Sequence, residues 1–278
     1  MTMEYNGYTE YRFASDEDMA EFYQGSFPGD FPELLTNEYI YLRNPAGEII
    51  DKKCWTGEGL RRVNSSQLKT VWLGSISPRN NEQELALDLL RDKTTKIKLI
   101  TGRFGSGKTY LMTAAAVQML EKGIIDRILY IRNNVQVKDV PDIGFLPGNV
   151  NDKLIGYAMP MADALGGIDG LNEMMARGKI SITPLGMLRG RNFDNTLIFC
   201  SECENLTAEH AQLIITRAAE GSYVWFDGDM AQVDKSVYEK NSAIRRMIER
   251  FSGHELFGYV RLQKTERSRV AAMADLLS

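Results

Sequence analysis

From Ser77 onward, short apolar runs alternate with stretches in which apolar residues return every three or four positions. KIKLIT (96–101), RILYIR (127–132), KISIT (179–183), TLIFC (196–200) and SYVWFD (222–227) have the length and the β-branched or aromatic content of buried strands. The spacing between and after them predicts helices over 82–91, 108–121, 207–219, 239–251 and 267–277. In the fourth of these, Ile244, Met247, Ile248 and Phe251 recur at i, i+3, i+4 and i+7, which sets Arg245, Arg246, Glu249 and Arg250 toward solvent. Strands alternating with helices predict an α/β fold, a largely parallel sheet covered on both faces.

The first 75 residues break this rhythm. A helical stretch (16–23) precedes a Pro/Gly-rich turn region (27–32), and the extended runs EYIYLRN and EIIDKKCW flank Pro45-Ala46-Gly47 as in a β-hairpin. The expected organisation is a small helix-plus-hairpin domain over 1–75, a packing or assembly module, followed by the α/β domain over 76–278.

The strongest chemical signal lies between strand 96–101 and helix 108–121. Gly102, Arg103, Phe104, Gly105, Ser106, Gly107, Lys108 and Thr109 spell G-x-x-x-x-G-K-T, in the strand, loop, helix order that cradles nucleotide phosphates. Such a loop turns its backbone N–H groups toward one anion, a path that glycine permits. Lys108 brings a compact positive charge to the β- and γ-phosphates and Thr109 a hydroxyl to magnesium. The helix that continues through Tyr110 aims its positive end at the anion. A nucleoside triphosphate is therefore the expected ligand, with Mg2+ as its counter-ion.

Ligands of parallel sheets bind beyond the carboxyl ends of the strands. After TLIFC come Ser201, Glu202, Cys203, Glu204 and Asn205, and after SYVWF come Asp227, Gly228, Asp229, Met230, Ala231 and Gln232. Where NTPases place a magnesium aspartate followed by a glutamate that deprotonates water, this chain has Ser201 and Glu202. Glu202 is the expected general base, and Gln232 can set an amide against the γ-phosphate. A solvated loop after a buried strand is the plain alternative for these acids.

Composition refines the picture only modestly. The 278 residues are 44% hydrophobic and 25% charged, with a net charge of −4, which disfavours a basic nucleic-acid coat but permits a local basic strip. Arg177, Lys179, Arg189 and Arg191 form such a strip, with Phe193 as the nearby aromatic. Phosphate contact in a pore, subunit packing and plain exposure all fit it. Neither a secretory signal nor an apolar run of about 18 residues is present, and three cysteines suit a cytosolic, cytoplasmic setting without membrane contact. Cys200 and Cys203 form a C-x-x-C, yet Cys54, His210 and His254 show no ligand spacing, which favours small packing residues over a zinc or redox pair.

The elements SPRNNEQELALDLL, GRFGSGKT, DIGFLPGN, LGMLRGR, SECENLT, ITRAAEGS, DGDMAQVD and KTERS stand in the order of the PhoH-like ATPases, which the chain resembles from Gly74 to Ser278. The resemblance implies a RecA-like P-loop NTPase core related to the first motor domain of superfamily-one helicases. It implies that Gln83 reads adenine, so that ATP is the nucleotide. Lys108 and Thr109 match the phosphate lysine and the magnesium hydroxyl, Glu202 the catalytic glutamate, and Gln232 the γ-phosphate sensor. Arg217 and Arg267 match arginines that reach a nucleotide, one of them across a subunit interface; each equally suits a surface ion pair. The implied partners are further copies of the chain in a homo-oligomeric, hexameric ring, and RNA or single-stranded DNA.

The N-terminal segment resembles the linker of longer relatives that carry a PIN nuclease ahead of the PhoH module, so ribonuclease activity is not expected. The family commonly reads D-E-A-Q-N where this chain has Ser201-Glu202-Cys203-Glu204-Asn205. The metal site would then rest on Thr109 and the uncharged Ser201, with Asp229 or Glu204 as possible compensation. RNNVQVKDVPDIG departs too, with Asn133 in place of a proline. An ATP-driven motor or remodeller on nucleic acid is the expected function. A weakly hydrolysing, nucleotide-dependent assembly module is the alternative, and a small-molecule kinase lacks a recognisable acceptor pocket.

Overall fold

The computed structural model describes residues 5–26, 29–132, 155–233, 238 and 240–266. The N-terminal part holds β1 (Tyr8–Arg12), α1 (Asp16–Gln24), β2 (Tyr39–Arg43), β3 (Ile49–Trp55) and β4 (Leu60–Arg62), with the strands ordered β1-β2-β3-β4. The hairpin expected around Pro45-Ala46-Gly47 is the antiparallel pair β2 and β3. Ser15 starts α1 by accepting a hydrogen bond from the Asp18 N–H, and acidic residues in the first turn suit the positive helix end. A two-stranded ribbon, β5 (Leu68–Thr70) and β6 (Gly74–Ile76), leads into the larger unit.

That unit runs α2 (Asn81–Arg91), β7 (Ile97–Gly102), α3 (Lys108–Glu121), β8 (Arg127–Arg132), α4 (Met159–Ala164), α5 (Ile168–Ala176), β9 (Ile180–Ile182), β10 (Thr196–Ser201), α6 (Ala208–Ile215), β11 (Tyr223–Gly228), α7 (Ala243–Phe251) and β12 (Phe257–Leu262). Its six strands are ordered β12-β7-β11-β10-β8-β9, and every neighbouring pair is parallel. This is the expected P-loop NTPase sheet. Along β10, Leu197 and Phe199 join one apolar cluster while Ile198 and Cys200 join the other, because successive side chains leave opposite faces of a strand. Both faces are covered, which is why the strand reads as an unbroken apolar run. Ile244 and Met247 of α7 are buried and its arginines exposed, as the spacing predicts.

Several elements of the larger unit differ from expectation. β12 (FGYVRL) was not expected, nor were α4 and α5, and α6 stops at Ile215 where a helix to 219 was expected. The last difference has a tertiary cause. Phe193 and Ala218 form a parallel bridge, with Phe193 N–H bonded to Arg217 O and Ala219 N–H to Phe193 O. The Arg217 carbonyl and the Ala219 N–H serve that pairing instead of continuing the helix. The expected helix 267–277 and the element DIGFLPGN lie outside the described residues.

The N-terminal sheet and the ribbon share their interior with the larger unit: Tyr39, Tyr41 and Cys54 of the sheet and Leu68 and Ile76 of the ribbon belong to the same apolar cluster as residues of α2 and α3. Buried Asp88 of α2 accepts hydrogen bonds from Tyr39 Oη (2.8 Å), both Arg61 terminal nitrogens (2.9 and 2.8 Å) and Asn64 N–H (2.7 Å). Residues 6 and 7 join the two sheets, since Arg261 N–H bonds Asn6 O and Tyr39 N–H bonds Gly7 O. Gly7 has φ +82, and a Cβ there would sit 1.9 Å from Tyr259 O, so the close approach requires glycine.

A candidate nucleotide site at the strand ends

The strand order brings the carboxyl ends of β7, β11, β10 and β8 side by side, and the glycine loop leaves the sheet there. Gly107 takes φ +89 as the residue before α3, a left-handed conformation that lets the loop turn into the helix at once. The N-terminus of the 14-residue α3 therefore faces the concave side of the loop. Ser106 is fully buried and its Oγ has no hydrogen-bond partner. Lys108 Nζ folds back onto the carbonyls of Gly102 (2.6 Å) and Arg103 (3.2 Å). Phe104 and Tyr110 flank the loop with large exposed rings, and Arg103 is exposed beside them.

The loop is braced from three sides. Gln83 is buried; its Oε1 accepts from Arg79 N–H (2.9 Å) and its Nε2 donates to Ser106 O (2.9 Å). Glu266 N–H bonds Gly105 O, and Asn80 Nδ2 bonds Glu266 Oε1 at 2.8 Å. Asp229 Oδ2 accepts from Phe104 N–H (3.1 Å), its Oδ1 accepts from Ala231 N–H (3.0 Å), and its own N–H donates to Glu204 Oε2 (3.0 Å). Burial pushes Glu204 up to about 8. Asp229 and Glu204 are thus engaged with main chain and with each other.

Thr109 Oγ1 instead donates to Asp227 Oδ2 at 2.6 Å. Asp227, 2% exposed at the end of β11, also accepts from Glu202 N–H at 3.0 Å through Oδ1. Ser201, likewise 2% exposed, ends the neighbouring strand. Glu202 follows in a left-handed conformation (φ 55, ψ 48), uncommon for a residue with a Cβ and characteristic of functional positions. Its carboxylate pairs with Arg132 at the end of β8, where Arg132 Nε donates to Oε2 at 2.8 Å and a second terminal nitrogen closes a fork on Oε1.

The site thus gathers Gln83, the loop 102–109, Ser201, Glu202, Asp227 and Asp229. Gln232 lies at its edge, exposed, with its N–H turned onto Asp229 O at 3.0 Å. Arg217 does not join it. It sits ahead of β10, its guanidinium donating to Arg191 O at 3.3 Å, and the six residues of β10 separate it from Glu202 by about 20 Å. Arg267 lies outside the described residues. In the basic strip, Arg177 pairs with Glu173 and lies against the Trp72 ring, and Arg191 covers Phe193. Cys200 and Cys203 are buried thiols in the core, and burial pushes both well up. Sequence reasoning missed Arg132 and gave Asp227 no role of its own. The signal for Arg132 was its place at a strand end, RILYIR, by the same rule that selected Glu202.

These residues suit a magnesium nucleotide: an orphaned buried hydroxyl, a lysine turned onto loop carbonyls, a helix N-terminus and a threonine hydroxyl held by a carboxylate. Residues 75–278 match the family described as PhoH-like protein. The chain belongs to the PhoH-like family. It is 33% identical over 263 residues to protein PhoH2 of Bacillus subtilis, covering 90% of this chain and 57% of that protein. Against protein PhoH2 of Mycolicibacterium smegmatis it is 29% identical over 226 residues, with 78% and 52% covered, and against protein PhoH of Escherichia coli 32% over 203 residues, with 70% and 55%. The chain spans about half the length of these relatives. No helix among the described residues is long and apolar enough to cross a membrane.

Proposed function

We propose that this PhoH-like chain binds ATP with Mg2+ in the 102–109 loop and hydrolyses it, in a ring of identical copies that acts on RNA or single-stranded DNA. The observation that carries the reading is the loop itself, with Ser106 Oγ orphaned and Lys108 turned onto loop carbonyls, a constellation in want of an anion. Lys108 moves onto the β- and γ-phosphates and Thr109 offers its hydroxyl to magnesium, which neutralises the triphosphate when bound. Glu202 takes the proton of the attacking water and Gln232 senses the γ-phosphate. Gln83, the residue expected to read adenine, is buried with both amide atoms engaged beside the loop, so it must turn out of that brace to meet the base. Arg217 is too far from the nucleotide of its own subunit, which supports action on a neighbouring copy's nucleotide.

The test is steady-state phosphate release from magnesium-ATP with and without single-stranded RNA. Release that disappears in Lys108→Ala and rises with RNA supports the reading, while Glu202→Gln keeps ATP binding and stops turnover. Release unchanged in Lys108→Ala refutes it. The Arg132 fork on Glu202 favours a second reading, a nucleotide-dependent assembly module with weak hydrolysis. In that case ATP binds tightly but release stays near background with RNA present.

A further inference from the structure

The residue that should carry the metal-side charge at the end of β10 is Ser201, which has none. The geometry points to Asp227, one strand away on β11, as the carboxylate that holds the magnesium side of the site in place of one at position 201. The inference rests on the nucleotide-binding reading above.

Three observations carry it. Cys200 pairs in register with Phe226, so one step further Ser201 stands beside Asp227, at the roughly 4.8 Å spacing of neighbouring strands. A carboxylate on either residue therefore serves nearly the same space. Asp227 uses that position: its Oδ2 takes the Thr109 hydroxyl at 2.6 Å, leaving the hydroxyl's lone pairs for a cation. The other acids do not compete, because Asp229 is spent on Phe104 and Ala231 N–H groups and Glu204 on the Asp229 N–H.

Asp227 is also held in place. The Glu202 N–H donates to its Oδ1 at 3.0 Å, so one carboxylate both orients the threonine hydroxyl and fixes the backbone of the proposed base. Partners of this kind change metal affinity by about 10- to 100-fold when removed. A second carboxylate at 201 would lie buried against the first, where like charges disfavour each other. That accounts for a serine at 201 once the charge sits on β11.

The decisive experiment measures binding of a non-hydrolysable ATP analogue in EDTA and across a Mg2+ titration. It compares the wild type with Asp227→Asn, Ser201→Asp and the exchange variant Ser201→Asp/Asp227→Ser. Asp227→Asn is expected not to weaken binding in EDTA, because it removes a negative charge beside the triphosphate, and to weaken the Mg2+ dependence about 10- to 100-fold. Ser201→Asp alone gives no gain, and the exchange variant returns to within a few-fold of wild type.

Unchanged Mg2+ dependence in Asp227→Asn overturns the inference, as does a tenfold gain from Ser201→Asp alone. Should Asp227→Asn fail to fold, the exchange variant decides: folded and metal-responsive supports the inference, whereas unfolded or metal-blind overturns it. A wild-type protein that binds no nucleotide under either condition refutes the proposed function instead, which keeps the two failures apart.

Discussion

Replacing Arg132 with methionine should speed the protein up. The Arg132 fork engages both oxygens of Glu202, so the molecules with the pair open are those whose carboxylate is free to turn to the attacking water. The two side chains are 23% and 37% exposed, so solvent screens the pair, and a contact of this kind is worth about 1 kcal/mol. That energy corresponds to about a fivefold preference for the closed pair, leaving roughly one molecule in six with a free base. Removing the arginine makes nearly every molecule competent and raises kcat about sixfold, with KM for ATP little changed.

The assay is steady-state phosphate release at saturating magnesium-ATP for Arg132→Met and for Arg132→Met/Glu202→Gln, which should stay inactive if the gain runs through Glu202. Raising ionic strength should narrow the difference between wild type and Arg132→Met, because salt loosens the pair only where it exists. A kcat that falls tenfold or more in Arg132→Met would refute the reasoning and make Arg132 part of the machinery that stabilises the reacting phosphate.

Two further outcomes concern stability. Asp88→Ala strands Tyr39 Oη, the Arg61 fork and Asn64 N–H in a buried place and should cost about 3 to 5 kcal/mol in urea unfolding; a loss below about 1 kcal/mol contradicts it. Lys98, buried under Trp225 and donating to the carbonyls of Leu89, Leu90 and Asp92, is pushed down by burial to about 7 from an ordinary 10.5. The unfolded chain binds the extra proton between those values, so this group's contribution to stability rises with pH from about 7 to 10.5, by up to about 1.4 kcal/mol per pH unit. The difference in urea midpoint between wild type and Lys98→Met, followed from pH 7 to 9.5, should grow in favour of wild type; a flat or falling difference contradicts the assignment.

What the sequence showed and what it hid divide along a physical line. The loop 102–109 was legible because its chemistry is local, with glycines, lysine and threonine at fixed offsets beside a strand and a helix. Strands 127–132, 196–200 and 222–227 were legible because both faces are buried, and the structure places their ends within one residue of expectation. β12 was hidden because Gly258 and Arg261 interrupt its apolar run, and a Cβ at 258 would meet Leu89 and Thr95; the glycine serves packing that no local pattern records. α4 and α5 were hidden by Pro160 and by Gly166-Gly167, which read as breakers although Pro160 stands within the first turn of α4, where it is tolerated. Asp227 lay in plain view as the last residue of SYVWFD, but its meeting with Thr109 depends on the order β7-β11-β10 and on register, and strand order is a property of the folded sheet alone.

The short crossing at Asn6 and Gly7 has a consequence for how copies of this chain can meet. By bonding Arg261 on one side while Gly7 bonds Tyr39 on the other, it lies along β12, the terminal strand of the larger sheet. An incoming strand cannot dock at that stretch without first displacing it. At the opposite margin β9 is only three residues long, too short a template for a lasting ladder. Neither margin of the larger sheet therefore invites a ladder that grows from molecule to molecule.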